Sequence, residues 1–155
     1  MLFIVSMSCS VVIAQRTNSK PPTQKPPVTQ KFKAPKVSTT WGKYIDSSTV
    51  TVDEALALLR SPLTITGDNK TNYGISTYHF LYRKRGVTEE EETGKVTAVT
   101  TIASNIFRST PLPDSWITSI SLQLRSGEEL YFFDVLAKDA QGHIFFAPTL
   151  KIKVK

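Results

Sequence analysis

Between Pro113 and Ala137 the residue pattern changes period once, and this change constrains the architecture more than any other stretch. Trp116, Ile120 and Leu124 follow one another at i,i+4 steps with Ile117 beside them, which is the apolar stripe of an amphipathic helix from Pro113 to Arg125. Pro113 suits a first helical turn, and Gly127 is placed to close the helix in a left-handed conformation. Leu130 to Ala137 is then apolar on both parities, the mark of a central strand covered on both faces. A helix with one apolar face beside such a strand predicts helix-on-sheet packing.

The residues upstream fit the same plan. Thr51 and Glu54 form a capping box, and Val52, Ala55, Leu56 and Leu59 make one helical stripe that Arg60-Ser61-Pro62 ends. Leu63 to Thr66, the turn cluster Gly67 to Asn72 and the run Ile75 to Arg83 read as a hairpin. Charged residues at Arg83 to Arg85 and Glu89 to Glu92, with Gly86 between them, interrupt the pattern before Lys95 to Arg108 resumes it, which predicts a second hairpin with an acidic loop tip. After a turn at Asp139 to Gly142, His143 to Ala147 and Leu150 to Val154 are closing strands, with Pro148 limiting their pairing to each other. The expected fold is α+β and mostly β: an antiparallel sheet or immunoglobulin-like sandwich with two short packed helices.

The run Leu124, Gly127, Phe132, Asp134 and Gly142 resembles the C-terminal domain of the GldM family, the periplasmic component of the type IX secretion and gliding machinery of Bacteroidetes. There a helix ends in a Leu-x-x-Gly step before a Phe-x-Asp strand and a Gly turn. The resemblance covers Thr110 to Lys155 well and Ser47 to Phe107 in general layout. It extends neither to the family's membrane-spanning anchor nor to its long helical region, so a detached terminal domain is expected. It implies a periplasmic location, a homodimer, and contact with an envelope protein of a secretion or gliding complex.

Leu2 to Ile13 form an apolar run of signal-peptide length, and Val12-Ile13-Ala14 suits a signal peptidase, although a basic n-region is missing. Residues 1–14 are therefore expected to be a signal peptide, too short to cross a bilayer. Cys9, the one cysteine, sits inside this apolar run rather than in a lipobox. Residues 15–37 are rich in Pro, Lys, Gln and Thr and read as a disordered polyproline-biased tether, followed by one domain at 38–155. The net charge of +6 resides in that tether, whose stretch 16–36 holds six basic residues and no acid; the remainder has 13 basic against 13 acidic residues. A basic groove with interleaved aromatics, and with it nucleic-acid binding, is not expected.

Catalytic constellations do not assemble on paper either. Gly-x-Ser-x-Gly, Walker and dinucleotide loops are missing, so no nucleotide or other cofactor is expected. His79 shares parity with Thr77 and opposes Tyr78, Phe80 and Tyr82, which puts it on a polar sheet face. Neither His79 nor His143 has a ligand-like neighbour at the usual offset, so no metal site is expected. Asp134, among Tyr131, Phe132, Phe133, Val135 and Leu136, would be costly unpaired in a core, which points to a backbone or cationic partner at a strand corner.

These readings favour a non-catalytic docking module of the cell envelope, with Arg83, Lys84, Arg85, Glu89, Glu90, Glu91 and Glu92 as the candidate interface. The alternative is a secreted carbohydrate-binding module using Trp41, Tyr44, Tyr73 or Trp116 as a stacking platform, or a small hydrolase.

Overall fold

The computed structural model describes residues 32–45 and 47–155; the predicted signal peptide and residues 15–31 of the tether lie outside them. The described chain runs β1 (Val37–Trp41), β2 (Tyr44–Ile45), β3 (Ser48–Val50), α1 (Val52–Leu58), β4 (Leu63–Gly67), β5 (Asn72–Glu89), β6 (Val96–Phe107), α2 (Asp114–Ser121), β7 (Glu129–Lys138), β8 (Ile144–Ala147) and β9 (Leu150–Val154). It is mostly β with two short helices. The strands form one sheet in the order β2-β1-β4-β5-β7-β9-β3, with β6 added to β5 and β8 to β7.

The sheet is mixed, which corrects the purely antiparallel expectation. β3 and β9 run parallel, pairing Ser48 with Ile152 and Val50 with Val154, while every other described pair is antiparallel. The sheet curls back on itself and nearly closes. Thr39 of β1, almost wholly buried, donates from Oγ1 to the carbonyl of Pro148 between β8 and β9 at 2.6 Å. Inside this curl Trp41 meets Phe132 edge-on at a centroid distance of 4.8 Å, and Phe132 also contacts Tyr78 and Phe80 at 5.5 and 5.0 Å.

The first helix follows its capping box: Thr51 Oγ1 accepts from the Glu54 amide, and the Glu54 carboxylate accepts from the Thr51 amide. Glu54 also accepts from the Tyr44 hydroxyl and Lys43. The Thr51 amide, the Tyr44 hydroxyl and Lys43 together lower its carboxyl to about 2. Ala55, Leu58 and Leu59 are buried, with Val52 and Leu56 half-buried against the core. Gly42 between β1 and β2 has φ +58°, and a Cβ there would lie 2.7 Å from Leu58 Cδ2, so only glycine lets the turn pass under α1.

Three expectations change in the second half. Helix α2 is shorter than its pattern, Asp114 to Ser121, and Ile117 and Ile120 fill the core while Trp116 is only half-buried, edge-on to Phe80 and Phe107. Gly127 does adopt a positive φ of 86°, but beyond the helix, where its amide donates to Val154. Most informative is β7. Its buried apolar positions are Leu130 and Phe132 before Asp134, then Val135 and Ala137 after it, because Asp134 sits at φ +46° and inserts a bulge. Apolar residues on both parities therefore reflect a phase shift within a strand with one buried face, and not the doubly covered strand the pattern suggested. Asp134 is exposed and fixes the corner through its backbone. There β7 exchanges partners, pairing with β9 through Glu129–Phe132 and with β8 through Val135–Lys138.

Candidate docking surface

β5 begins beside β4 through Tyr73 and Asn72, then pairs with β6 through twelve consecutive rungs from Tyr78–Phe107 to Glu89–Val96. The charged stretch Arg83 to Glu89 is thus strand, and only residues 90–95 turn. Glu90 organises that turn: its amide donates to Lys95, its carbonyl accepts from Gly94, and its carboxylate accepts from Thr93 Oγ1 at 2.6 Å. The charges read as a loop do not break the strand because a ribbon with solvent on both faces imposes no alternation of polarity. Every residue from Arg85 to Ile102 is exposed, so the far half of the hairpin is an arm standing off the body.

The structure does not bring the basic and acidic clusters together. Arg83 and Lys84 point to opposite faces, and four residues of strand, about 13 Å at 3.3 Å per residue, separate Arg85 from Glu89. Arg83 lies on the outer face and binds Glu129 at 2.8 Å, where Lys151 binds the same carboxylate at 3.1 Å. Burial alone would raise the Glu129 carboxyl, but Lys151, Arg83 and Arg85 hold it below its ordinary range. Lys84 lies on the inner face and donates to Gln123 Oε1 beyond the end of α2. Glu89 ends β5, and Glu91 and Glu92 stand in solvent at the tip.

Strand alternation divides the residues of this surface. On the outer face Tyr131 and Phe133 stack at 5.3 Å and His79 packs on Phe133 at 4.9 Å, with Ile102 and Ile106 each 54 % exposed alongside. On the inner face Tyr82 and Lys84 of β5, Thr101 and Ala103 of β6, and Ser115, Trp116, Ser119, Ile120 and Gln123 line a cleft of about 290 Å³. Below it the buried Glu128 accepts from the Tyr82 hydroxyl and the Arg125 amide. Burial, then the Glu128 carboxylate, raises the Tyr82 hydroxyl well above its ordinary value.

Along its other edge β6 has no strand partner among the described residues. Exposed edges in folded proteins are ordinarily blunted by charge, proline or a bulge. Val96 to Phe107 carries no charged residue, no proline and no glycine, and its Val, Ile and Thr content favours an extended strand.

The other residues singled out from sequence lie elsewhere. Leu124 and Phe132 are buried, and Gly142, φ +92°, turns the chain from β7 into β8. Trp41 is buried and donates from Nε1 to the Ser61 carbonyl, so it offers no stacking platform. Tyr73 is half-buried edge-on to Phe145, and Tyr44 is spent on Glu54. His143 does have an acidic neighbour four residues before it, contrary to the sequence expectation: the turn folds Asp139 back so that its Oδ2 lies 2.8 Å from Nδ1. Burial would raise Asp139, but the bonds from His143 and Gln141 hold it below its ordinary value. Phe32, the first described residue, stacks on the same imidazole at 4.4 Å, so the end of the predicted tether touches the domain. Among the described residues no three His, Cys, Asp or Glu side chains group to hold a metal ion, and no helix is long and apolar enough to cross a membrane.

The cleft and the role of Lys84 were missed from sequence, yet the signal was present: Lys84 shares parity with Tyr78, Phe80 and Tyr82, so a continuous strand had to turn it inward. No model of a known protein family matches the chain, and no curated protein matches it.

Proposed function

We propose that this chain is a non-catalytic docking module that captures a protein partner on the β5–β6 arm. The observation that carries the reading is the arm itself: an ordered two-stranded ribbon with solvent on both faces and an unguarded edge. Two-stranded ribbons are marginal in water alone, and open edges invite strand addition. An arm of this kind gives the body little stability and gives a partner a ready template.

The chain's compartment and partner follow from the GldM-like run Leu124, Gly127, Phe132, Asp134 and Gly142 and from the signal-like residues 1–14. On that basis the module works in the periplasm or cell envelope, its partner is an envelope protein of a secretion or gliding complex, and its curled sheet is a distant variant of the immunoglobulin-like sandwich. Homodimerisation belongs to the same reading. The stacked Tyr131 and Phe133 support a second reading, in which the outer face binds a carbohydrate.

The test is site-specific photocrosslinking in the native envelope. A crosslinker at Val99 on the arm should give a discrete adduct, and one at Lys43 on the body should give none. Equal yields at the two positions would remove the arm from consideration, and glycan binding lost on Tyr131→Ala would favour the second reading.

A further inference from the structure

We infer that the groove between the free edge of β6 and helix α2 binds an extended peptide of a partner protein, by strand addition, with an apolar side chain two residues away from an acidic one. The inference rests on the docking reading and specifies its ligand.

Strand alternation sets the spacing. Ala103 and Thr101 are successive inner-face residues of β6, and their β5 partners are Tyr82 and Lys84. A strand added along β6 therefore presents one side chain beside Ala103, over the cleft walled by Trp116 and Ile120, and its neighbour two residues away beside Thr101. That second position is two strand spacings from β5, about 10 Å, a gap that a lysine and a glutamate side chain bridge end to end.

Charge chooses the occupant. Lys84 is half-buried and, among the described residues, is held by an amide oxygen of Gln123 and forms no salt bridge. The adjoining hollow adds Arg125. Its one carboxylate, Glu128, is already taken by the Tyr82 hydroxyl and the Arg125 amide. The groove thus has an apolar end and an end with surplus positive charge, which a strand with an apolar and an acidic residue complements. The chain cannot supply that strand from its own stretch 16–36, which has six basic residues and no acid, nor a second copy from its β6, which has no acid at all. Backbone hydrogen bonds to the β6 edge would hold the peptide, and the two side chains would fix its register.

The experiment titrates the full chain with two short threonine-rich peptides that differ at one position, one with isoleucine and glutamate two residues apart and the other with lysine in place of the glutamate. Tryptophan fluorescence reports on Trp116 in the cleft, since Trp41 is 1 % exposed in the core, and amide shifts over Val96–Phe107 report edge pairing. The glutamate peptide should bind about tenfold or more tightly than the lysine peptide, and Lys84→Glu should reverse the preference. Lys84→Gln, which keeps a polar side chain against Gln123, should abolish the preference without reversing it and serves if the reversal variant fails to fold.

Equal binding of the two peptides, shifts confined to the outer face, or a dimer that seals β6 would each overturn the inference. Failure of both peptides alongside a preserved Val99 crosslink would sink the groove and leave the docking reading standing. Loss of the Val99 crosslink as well would remove both.

Discussion

The two halves of β5 share one hydrogen-bonded ladder with β6 and differ in everything else. From Tyr78 to Tyr82 every second side chain is buried to within 2 % and the rings touch Phe107, Phe132 and Trp116. From Arg85 to Glu89 every side chain is in solvent. Backbone pairing alone therefore does not distinguish body from arm; side-chain burial does. Hydrogen bonds exchanged with water contribute little net stability apiece, whereas each large buried apolar side chain contributes about 1.5–3 kcal/mol. The body half should set the stability of the domain, and the arm half should set what it binds.

The largest expected effect tests the body. Phe132 is almost wholly buried against Trp41, Tyr78 and Phe80, so Phe132→Ala should lower the unfolding free energy by about 3–5 kcal/mol, read from urea denaturation. A loss below about 1 kcal/mol would mean that the curled sheet collapses around the gap and that the body is less tightly specified than its burial implies.

Tyr82 marks the border between the halves. Tyr82→Phe removes the hydroxyl that donates to the buried Glu128 carboxylate and leaves it the Arg125 amide. The expected cost is about 1–3 kcal/mol, the usual penalty for an under-satisfied buried polar group. The same change in a background of Glu128→Gln should cost less, and equal costs in both backgrounds would show that the pair is not coupled.

Asp134 gives an effect of similar size or smaller, with its sign set by backbone geometry. At φ +46° a β-branched residue is strained, so Asp134→Ile should destabilise by about 1–3 kcal/mol while Asp134→Gly should be neutral or stabilising. Destabilisation by glycine equal to that by isoleucine would transfer the importance of this position from backbone to carboxylate.

Much of the fold was legible before the structure. The Thr51–Glu54 capping box, the buried Ile120 and Leu124 of the Trp116–Ile120–Leu124 stripe, whose Trp116 is only half-buried, and the buried Tyr78, Phe80 and Tyr82 all rest on short periodicities, which sequence states directly. What escaped depends on relations that local pattern does not carry. The bulge at Asp134 makes one strand look covered on both faces, because the parity changes without any break in apolar composition. The β5–β6 arm hides its strand character because a ribbon wet on both faces need not alternate. The curl that joins Thr39 to Pro148 and the parallel pairing of β3 with β9 link residues about a hundred positions apart. At the candidate site all seven charged residues do lie on the arm or at its base, yet reading them as one loop grouped them into a single surface, when strand geometry sends Arg83 and Lys84 to opposite faces.

Acid titration sharpens the contrast between the cap of α1 and the arm. Glu54 has a folded value of about 2 against an ordinary 4.5. A lowered value means that its contribution is complete above about 4.5 and drains away as pH falls toward about 2. Glu54→Gln should flatten that limb of the stability profile, whereas Val87→Thr on the exposed arm, which changes no titrating group, should leave it unchanged. An unaltered acid limb in the Glu54 variant would show that the hydrogen bonds to its carboxylate do not persist in solution.

The smallest expected effect on stability is the most informative about function. Val87 is 71 % and Val99 40 % exposed, and they occupy opposite faces of the arm. Replacing either with threonine preserves β-branching and ladder geometry, so each change should stay within about 0.5 kcal/mol of the parent in urea denaturation, as surface substitutions usually do. Partner capture should nevertheless respond to one more than to the other, because a bound strand that reaches inward over Ala103 also covers the inner-face Val99, whereas a partner seated on the Tyr131–Phe133 face covers Val87. Crosslinking or titration that weakens only with Val99→Thr supports docking at the inner groove, and weakening only with Val87→Thr moves it to the outer face. A stability loss above about 1 kcal/mol from either change would mean that the arm contributes to the fold, and the division between a body that holds the structure and an arm that meets the partner would no longer stand.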